Sequence, residues 1–306
     1  MDNAFILQLA RAATAQPEPE PEPEPRATAL RFALAAGPGR VAVVQQDKAV
    51  GIGGVAWQAC LALGHALDRD RGLFPHPAPA RVLELGCGTA LCGLCAWLLG
   101  AEEVVVTDSA DCRSLVERSI LETRESLPEG AELGAIRYAP LRWGQPTPAE
   151  VAGEWDLVLG SDLTYNEEDH SILLQTLRDV CTERSRVVLA HQRRPLAAAE
   201  VDPLERFISL AKESGFCVGA LRDLPSPADG VCSGQAVPKV ALEAVALVLT
   251  LGAEPAAPSL AAAGEQPCGS CPGIFDADHF SQRYLSLEDS GSTCRCHTNC
   301  EPPRYR

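Results

Sequence analysis

Ten residues, Arg81-Val-Leu-Glu84-Leu-Gly86-Cys-Gly88-Thr-Ala90, constrain this chain more than any other stretch. They read as a buried strand, Arg81 to Leu85, ending in a carboxylate and a glycine-rich turn. A helix, Leu91 to Leu99, follows at once. A second apolar run, Val104-Val-Val-Thr107, then ends in Asp108. Strand, Gly-x-Gly turn, helix and a second strand ending in an acid form the first half of a nucleotide-type cofactor site. The glycines let the backbone approach a ligand closely, and the distal acid accepts hydrogen bonds from ribose hydroxyls.

A dinucleotide fingerprint needs a third glycine at 91, and Leu91 stands there. The next glycine, Gly93, falls inside the helix, so pyrophosphate on the helix N-terminus is poorly supported. No Gly-Lys-Ser/Thr phosphate loop occurs. The form Glu84-x-Gly86-x-Gly88 resembles instead the cofactor loop of S-adenosylmethionine-dependent methyltransferases, whose ligand carries no phosphate. S-adenosylmethionine is therefore the expected cofactor. A generic strand-turn-helix would leave Asp108 unexplained.

With 306 residues, 46% of them hydrophobic, the chain can bury one substantial core and still carry terminal extensions. No run of 18 apolar residues marks a transmembrane helix, and Met1 to Arg11 makes a poor signal peptide. Cysteines fall in expected core elements (Cys60, Cys87, Cys92, Cys95, Cys181, Cys217), the usage of a reducing compartment; their odd total of 13 argues against a full disulfide framework. A cytoplasmic location is expected, extending to the nucleus. A formal charge of −15 disfavours nucleic acid as a partner.

Gln16 to Pro25 alternates Pro and Glu, which favours an extended, self-repelling arm. The chain divides into an arm at 1–27, a domain at 28–252 and a disordered Cys-containing tail at 253–306. Leu30–Leu34 and Arg40–Gln45 should pair as a hairpin across Gly37-Pro-Gly39, and a helix should run from Ala56 to Leu67. Further strands are expected at Val82–Leu85, Val104–Thr107, Leu133–Tyr138, Trp155–Leu159, Arg186–Ala190, Phe216–Leu221 and Val240–Leu249. Helices are expected at Leu91–Leu99, Asp111–Glu125, Glu167–Cys181 and Asp202–Gly215. The alternation predicts an α/β fold: a Rossmann-like, seven-stranded, mostly parallel, doubly wound sheet with an antiparallel C-terminal strand and helices on both faces. Pro225 to Pro238 reads as a loop. In the tail, Cys268-x-x-Cys271 and Cys294-x-Cys296-His297-x-x-Cys300 invite a zinc reading, but the second cluster does not repeat the first, and no metal is expected.

Ligands of such sheets sit at the carboxyl ends of the strands. There the chain reads Gly160-Ser161-Asp162-Leu163-Thr164-Tyr165, placing a carboxylate and a phenol three apart. A bland alternative is a helix N-cap at Ser161 or Asn166, with Glu167, Glu168 and Asp169 in the first turn. That alternative does not account for Tyr165.

Four blocks together resemble the methyltransferase-like 21 group of seven-β-strand protein lysine methyltransferases. They are Gly53-Gly54-Val-Ala-Trp57, Glu84-Leu-Gly86-Cys-Gly88-Thr89, Leu141-Arg-Trp143-Gly144 and the Asp-x-x-Tyr motif Asp162-Leu-Thr-Tyr165. The resemblance covers about residues 40 to 250. It implies that Trp57, Glu84, Gly86, Gly88, Asp108, Trp143 and Ser161 surround the cofactor, Asp108 at the ribose and Trp143 near the adenine. It also implies that Asp162 and Tyr165 handle the acceptor. Ala90 and Gln58 depart from the pattern. The tryptophans have an alternative as plain core aromatics.

The implied reaction is methylation of a lysine on a non-histone protein, of the chaperone or translation-factor type, by a monomer acting without nucleic acid or membrane. Two other readings stay open. One is a cofactor-binding interaction protein without catalysis; the other is methylation of a different side chain or of a small molecule.

Overall fold

The computed structural model describes residues 27–35, 39–75, 77–194, 201–224, 231–234 and 243–252. Most of the Pro-Glu arm, the Cys-containing tail with both cysteine clusters, and the turn at 36–38 lie outside these residues.

Two antiparallel strands open the fold, β1 (Ala27–Ala33) and β2 (Val41–Asp47). The strand thus starts one residue inside the segment expected as arm. Helix α1 (Gln58–Arg69) begins two residues later than its apolar run implied, because Ala56 N donates to Gln46 Oε1 and Trp57 is extended. Then come β3 (Arg81–Leu85), α2 (Leu91–Leu98), β4 (Glu103–Asp108), α3 (Arg113–Glu125), β5 (Ala135–Pro140), β6 (Leu157–Ser161), α4 (His170–Val180) and β7 (Arg186–Gln192). Single 3-10 turns precede α3 and α4. Helix α5 (Pro203–Glu213) carries Asp202 as its N-cap, accepting from Leu204 N, with Pro203 at the first position. Strands β8 (Phe216–Val218), β9 (Arg222–Leu224), β10 (Cys232–Gly234) and β11 (Ala244–Leu251) follow.

The main sheet has the order β5-β4-β3-β6-β7-β11-β8, parallel from β5 to β7, with β11 antiparallel to both neighbours. Its eighth strand, β9, lies end to end with β8 along β11. The edge expected as one strand, Phe216 to Leu221, is therefore two short pieces.

β10 was expected as loop. It pairs with β1 and completes a separate three-stranded sheet. The outer edge of β2 is bonded to α3 instead of to a strand: Val43 N donates to Thr123 Oγ1 and Gln45 N to Ser119 Oγ.

Two apolar clusters account for the layering. Alternate strand residues feed opposite faces: Val82, Val104 and Val188 join α1, α2, α3 and the small sheet, while Leu83, Val105 and Leu189 join α4 and α5. Strands buried on both faces read as continuous apolar runs, which is why they were visible in the sequence. No single helix among the described residues is long and apolar enough to cross a membrane.

Candidate active site

The loop after β3 turns left-handed at every second residue: Gly86 at φ 54°, Gly88 at φ 51° and Ala90 at φ 65°. Glycine adopts this region without penalty, whereas a non-glycine residue pays roughly 1 kcal/mol. Ala90, the departure noted in the loop, takes the third left-handed turn as alanine. A Cβ at Gly86 would lie 2.6 Å from Leu163 Cδ2 and 3.1 Å from Trp143, and one at Gly88 would meet the Gly53 carbonyl at 3.0 Å. The Gly53-Gly54 block therefore packs directly on the glycine loop.

Gly93 supplies the close contact that the missing third glycine provides elsewhere. A Cβ there would lie 2.3 Å from Val106 Cγ1 and 2.8 Å from Glu84 Oε2. Its absence lets α2 approach β3 and β4. Gly93→Ala should therefore lower stability by about 1–3 kcal/mol through overpacking, read as a reduced denaturation midpoint; an unchanged midpoint would contradict this role.

Glu84 is fully buried and its Oε2 accepts from Gly93 N at 2.8 Å, so it supports the loop from beneath rather than lining the cleft. Burial pushes its carboxyl up to about 8. Asp108 does face the cleft. Its Oδ2 accepts from Gly88 N at 2.8 Å and its Oδ1 from Ser109 N at 2.7 Å, which ties the second strand to the glycine loop. The Tyr138 hydroxyl donates to the carbonyls of Asp108 and Ser109, fixing the backbone that presents the acid.

The cleft has two lobes. One, of about 320 Å³, is bordered by Trp57, Gly86, Gly88, Ser161, Asp162 and Tyr165. The other, of about 690 Å³, runs past Ala110, Arg142 and Ile172. Gly86, Asp108 and Trp143 belong to both. Trp143 is held by the next residue, since Gly144 N donates to Thr176 Oγ1 on α4. The four tryptophans divide by role: Trp97 and Trp155 are core, whereas Trp57, 38% exposed, and Trp143 border the cleft. Cys60 and Cys87 also line it. Burial pushes both thiols up, so they remain protonated and poorly nucleophilic.

Both acceptor-motif residues reach the first lobe. Asp162 is buried at φ 56°; with Ala90 it is one of the two non-glycine residues of positive φ among those described, and of the two it is Asp162 that lines the cleft. Tyr165 is 43% exposed. The bland alternative also holds locally, because Asn166 caps the following turn, accepting from Glu168 N. Behind the motif, Thr164 Oγ1 meets His191 Nδ1 at 2.8 Å, His191 Nε2 lies 3.3 Å from Asp202 Oδ1, and His170 Nε2 is 3.1 Å from the Thr164 carbonyl. Burial lowers the His191 pKa, keeping it neutral within this scaffold.

Arg194 is the site residue that the sequence did not reveal. It lines the first lobe and pairs with both Asp162 oxygens, Nη2 to Oδ2 at 2.5 Å and Nη1 to Oδ1 at 3.1 Å. An ion pair across 32 positions leaves no local pattern to find. Among the described residues no group of three or more His, Cys, Asp or Glu side chains is arranged to hold a metal.

A family model described as lysine methyltransferase matches residues 39–213. Protein N-lysine methyltransferase METTL21A of Danio rerio is 32% identical over 151 residues, 49% of this chain and 66% of that protein. EEF1A lysine methyltransferase 3 of Mus musculus is 30% identical over 151 residues, 49% of this chain and 60% of that protein. Protein N-terminal and lysine N-methyltransferase EFM7 of Candida glabrata is 30% identical over 171 residues, 54% of this chain and 63% of that protein. The chain thus spans less than two thirds of the length of each of these relatives.

Proposed function

The chain belongs to the lysine methyltransferase family, and from that premise we propose that it transfers methyl groups from S-adenosylmethionine to a lysine side chain of another protein. The observation that carries this reading is the convergence of Gly86, Gly88 and Asp108 with Asp162 and Tyr165 on one cleft. The residues fit the cofactor: bare backbone at 86 and 88 admits close approach, Asp108 stands where two lobes meet, and Trp143 offers an aromatic face. Bound there, S-adenosylmethionine supplies an electrophilic methyl group on a sulfonium.

The protein's own contribution is alignment and exclusion of water. A lysine must be neutral to attack, yet its reference pKa is about 10.4. An apolar approach past Tyr165 and Leu163 lowers it by desolvation. Asp162 orients the amine through its carboxylate oxygens. On this reading the acceptor belongs to a non-histone protein of the chaperone or translation-factor type, in the cytoplasm or nucleus. The enzyme works as a monomer without nucleic acid or membrane, and its charge of −15 supports the exclusion of polyanions.

Incubation with radiolabelled cofactor and a cell extract, followed by mass-spectrometric mapping, tests the assignment. Label on lysine supports it; label on arginine, histidine or a small molecule refutes it. Asp108→Ala should weaken binding of S-adenosylhomocysteine by roughly 1–3 kcal/mol in calorimetry, the cost of leaving hydroxyls unpaired. Unaltered affinity would remove Asp108 from the cofactor site.

A further inference from the structure

We propose that Arg194 occupies the seat of the acceptor amine, so that a lysine enters only by displacing it. Arg194 has this role only if methyl transfer occurs in this cleft as proposed above.

The Asp162 side chain is 6% exposed, and the Arg194 guanidinium covers both of its oxygens. The same guanidinium lies over the Tyr165 ring, 5.5 Å from the centroid. A buried carboxylate beside an aromatic face is the pairing that a lysine seeks on arrival, as an ammonium, before its proton leaves to solvent and the neutral amine attacks. Two cations cannot share it, because each would lose its counter-charge and repel the other.

Arginine suits such a placeholder. A guanidinium is a planar, poorly nucleophilic cation, so it holds the seat without competing with the substrate amine for the methyl group. Its side chain is 39% exposed, so rotation into solvent can release it without unpacking the core. Its tether is short: Arg194 stands two residues past the end of β7, and Nη1 also donates to the Gln192 carbonyl at 3.3 Å.

Displacement carries a free-energy cost that a bare amine must meet alone. A lysine on a polypeptide can offset it through contacts with the exposed apolar rim, where Ile52 is 64% exposed beside Trp57. Arg194 thereby selects protein-borne lysine over small amines.

The test uses the full chain, S-adenosylhomocysteine, and sinefungin, a cofactor analogue with an amine in place of the methylsulfonium. Arg194→Gln should shift the affinity ratio of sinefungin to S-adenosylhomocysteine about fivefold in favour of sinefungin, the scale of one partly exposed charge pair. Arg194→Lys should fall between the two. Free n-butylamine should become a detectable methyl acceptor in Arg194→Gln alone. An unchanged sinefungin-to-S-adenosylhomocysteine affinity ratio across all three proteins overturns the role of Arg194. Failure of the unaltered protein to bind S-adenosylhomocysteine overturns the methyl-transfer reading itself.

Discussion

Asp162→Asn is expected to cut turnover about 10²-fold or more, the usual scale for losing a positioning or proton-handling group. The substitution is unusually clean here. Asp162 sits at φ 56°, and asparagine is among the non-glycine residues most at home in that region. Backbone and side-chain shape should therefore persist, with a melting temperature within a few degrees of the parent. Charge is what disappears. An amide turns one of its two acceptor atoms into a donor facing the incoming amine. The change also releases Arg194 from its ion pair, which by itself should ease entry of the acceptor. A large loss of turnover despite that relief would isolate the contribution of the carboxylate. Binding of S-adenosylhomocysteine should stay nearly constant, since Asp162 borders the acceptor side of the first lobe while Asp108 and Trp143 stand between the lobes. Full activity in Asp162→Asn would refute the role given to it.

Glu84 should make the fold less stable as pH rises. Burial pushes its carboxyl from an ordinary 4.5 up to about 8; the Gly93 amide opposes the shift and the Asp108 charge adds to it. The native protein therefore keeps a proton that the unfolded chain releases. Between those two values the native state binds more protons than the unfolded one, so unfolding becomes easier with increasing pH. The stability due to the neutral acid is complete below about 4.5 and is lost as pH climbs toward about 8. The whole effect is on the order of a few kcal/mol. Glu84→Gln copies the protonated acid and keeps an acceptor for Gly93 N. Its denaturation midpoint should vary less with pH than the parent's from pH 5 to 8.5 and exceed it at the alkaline end. Parallel profiles for the two proteins would show that Glu84 does not ionise on unfolding as described.

What was legible in the sequence was whatever rests on local pattern. Arg81–Leu85 and Glu103–Asp108 are buried on both faces, so each reads as an apolar run ending in an acid. The glycine turn and Asp162-x-x-Tyr165 were legible for the same reason, each lying within a few residues of a strand end. Features set by distant partners were not. Strand β10 has three residues and exists because β1 offers an edge; nothing in Cys232-Ser-Gly234 favours a strand. Glu84 looked like a ligand contact because its position in the motif was clear, but a strand residue faces one side of the sheet or the other, and this one faces α2. Gly93 looked incidental within a helix until the neighbouring strand supplied the surface that it must approach.

The position of β11 bears on how this protein is made. It is the last strand among the described residues, yet it lies inside the sheet, between β7 and β8 and antiparallel to both. During synthesis the five parallel strands can assemble well before it emerges. Until then β7 presents the open edge of Arg186–Gln192, whose residues 187–192 are all buried in the finished fold. Such an edge invites pairing with another nascent chain. A transcript truncated after Leu224 would encode every residue of the glycine loop and of the Asp-x-x-Tyr motif and still yield a sticky, half-closed sheet. For the ribosome and the chaperones around it, this eight-residue strand is the step that turns an aggregation hazard into a closed sheet.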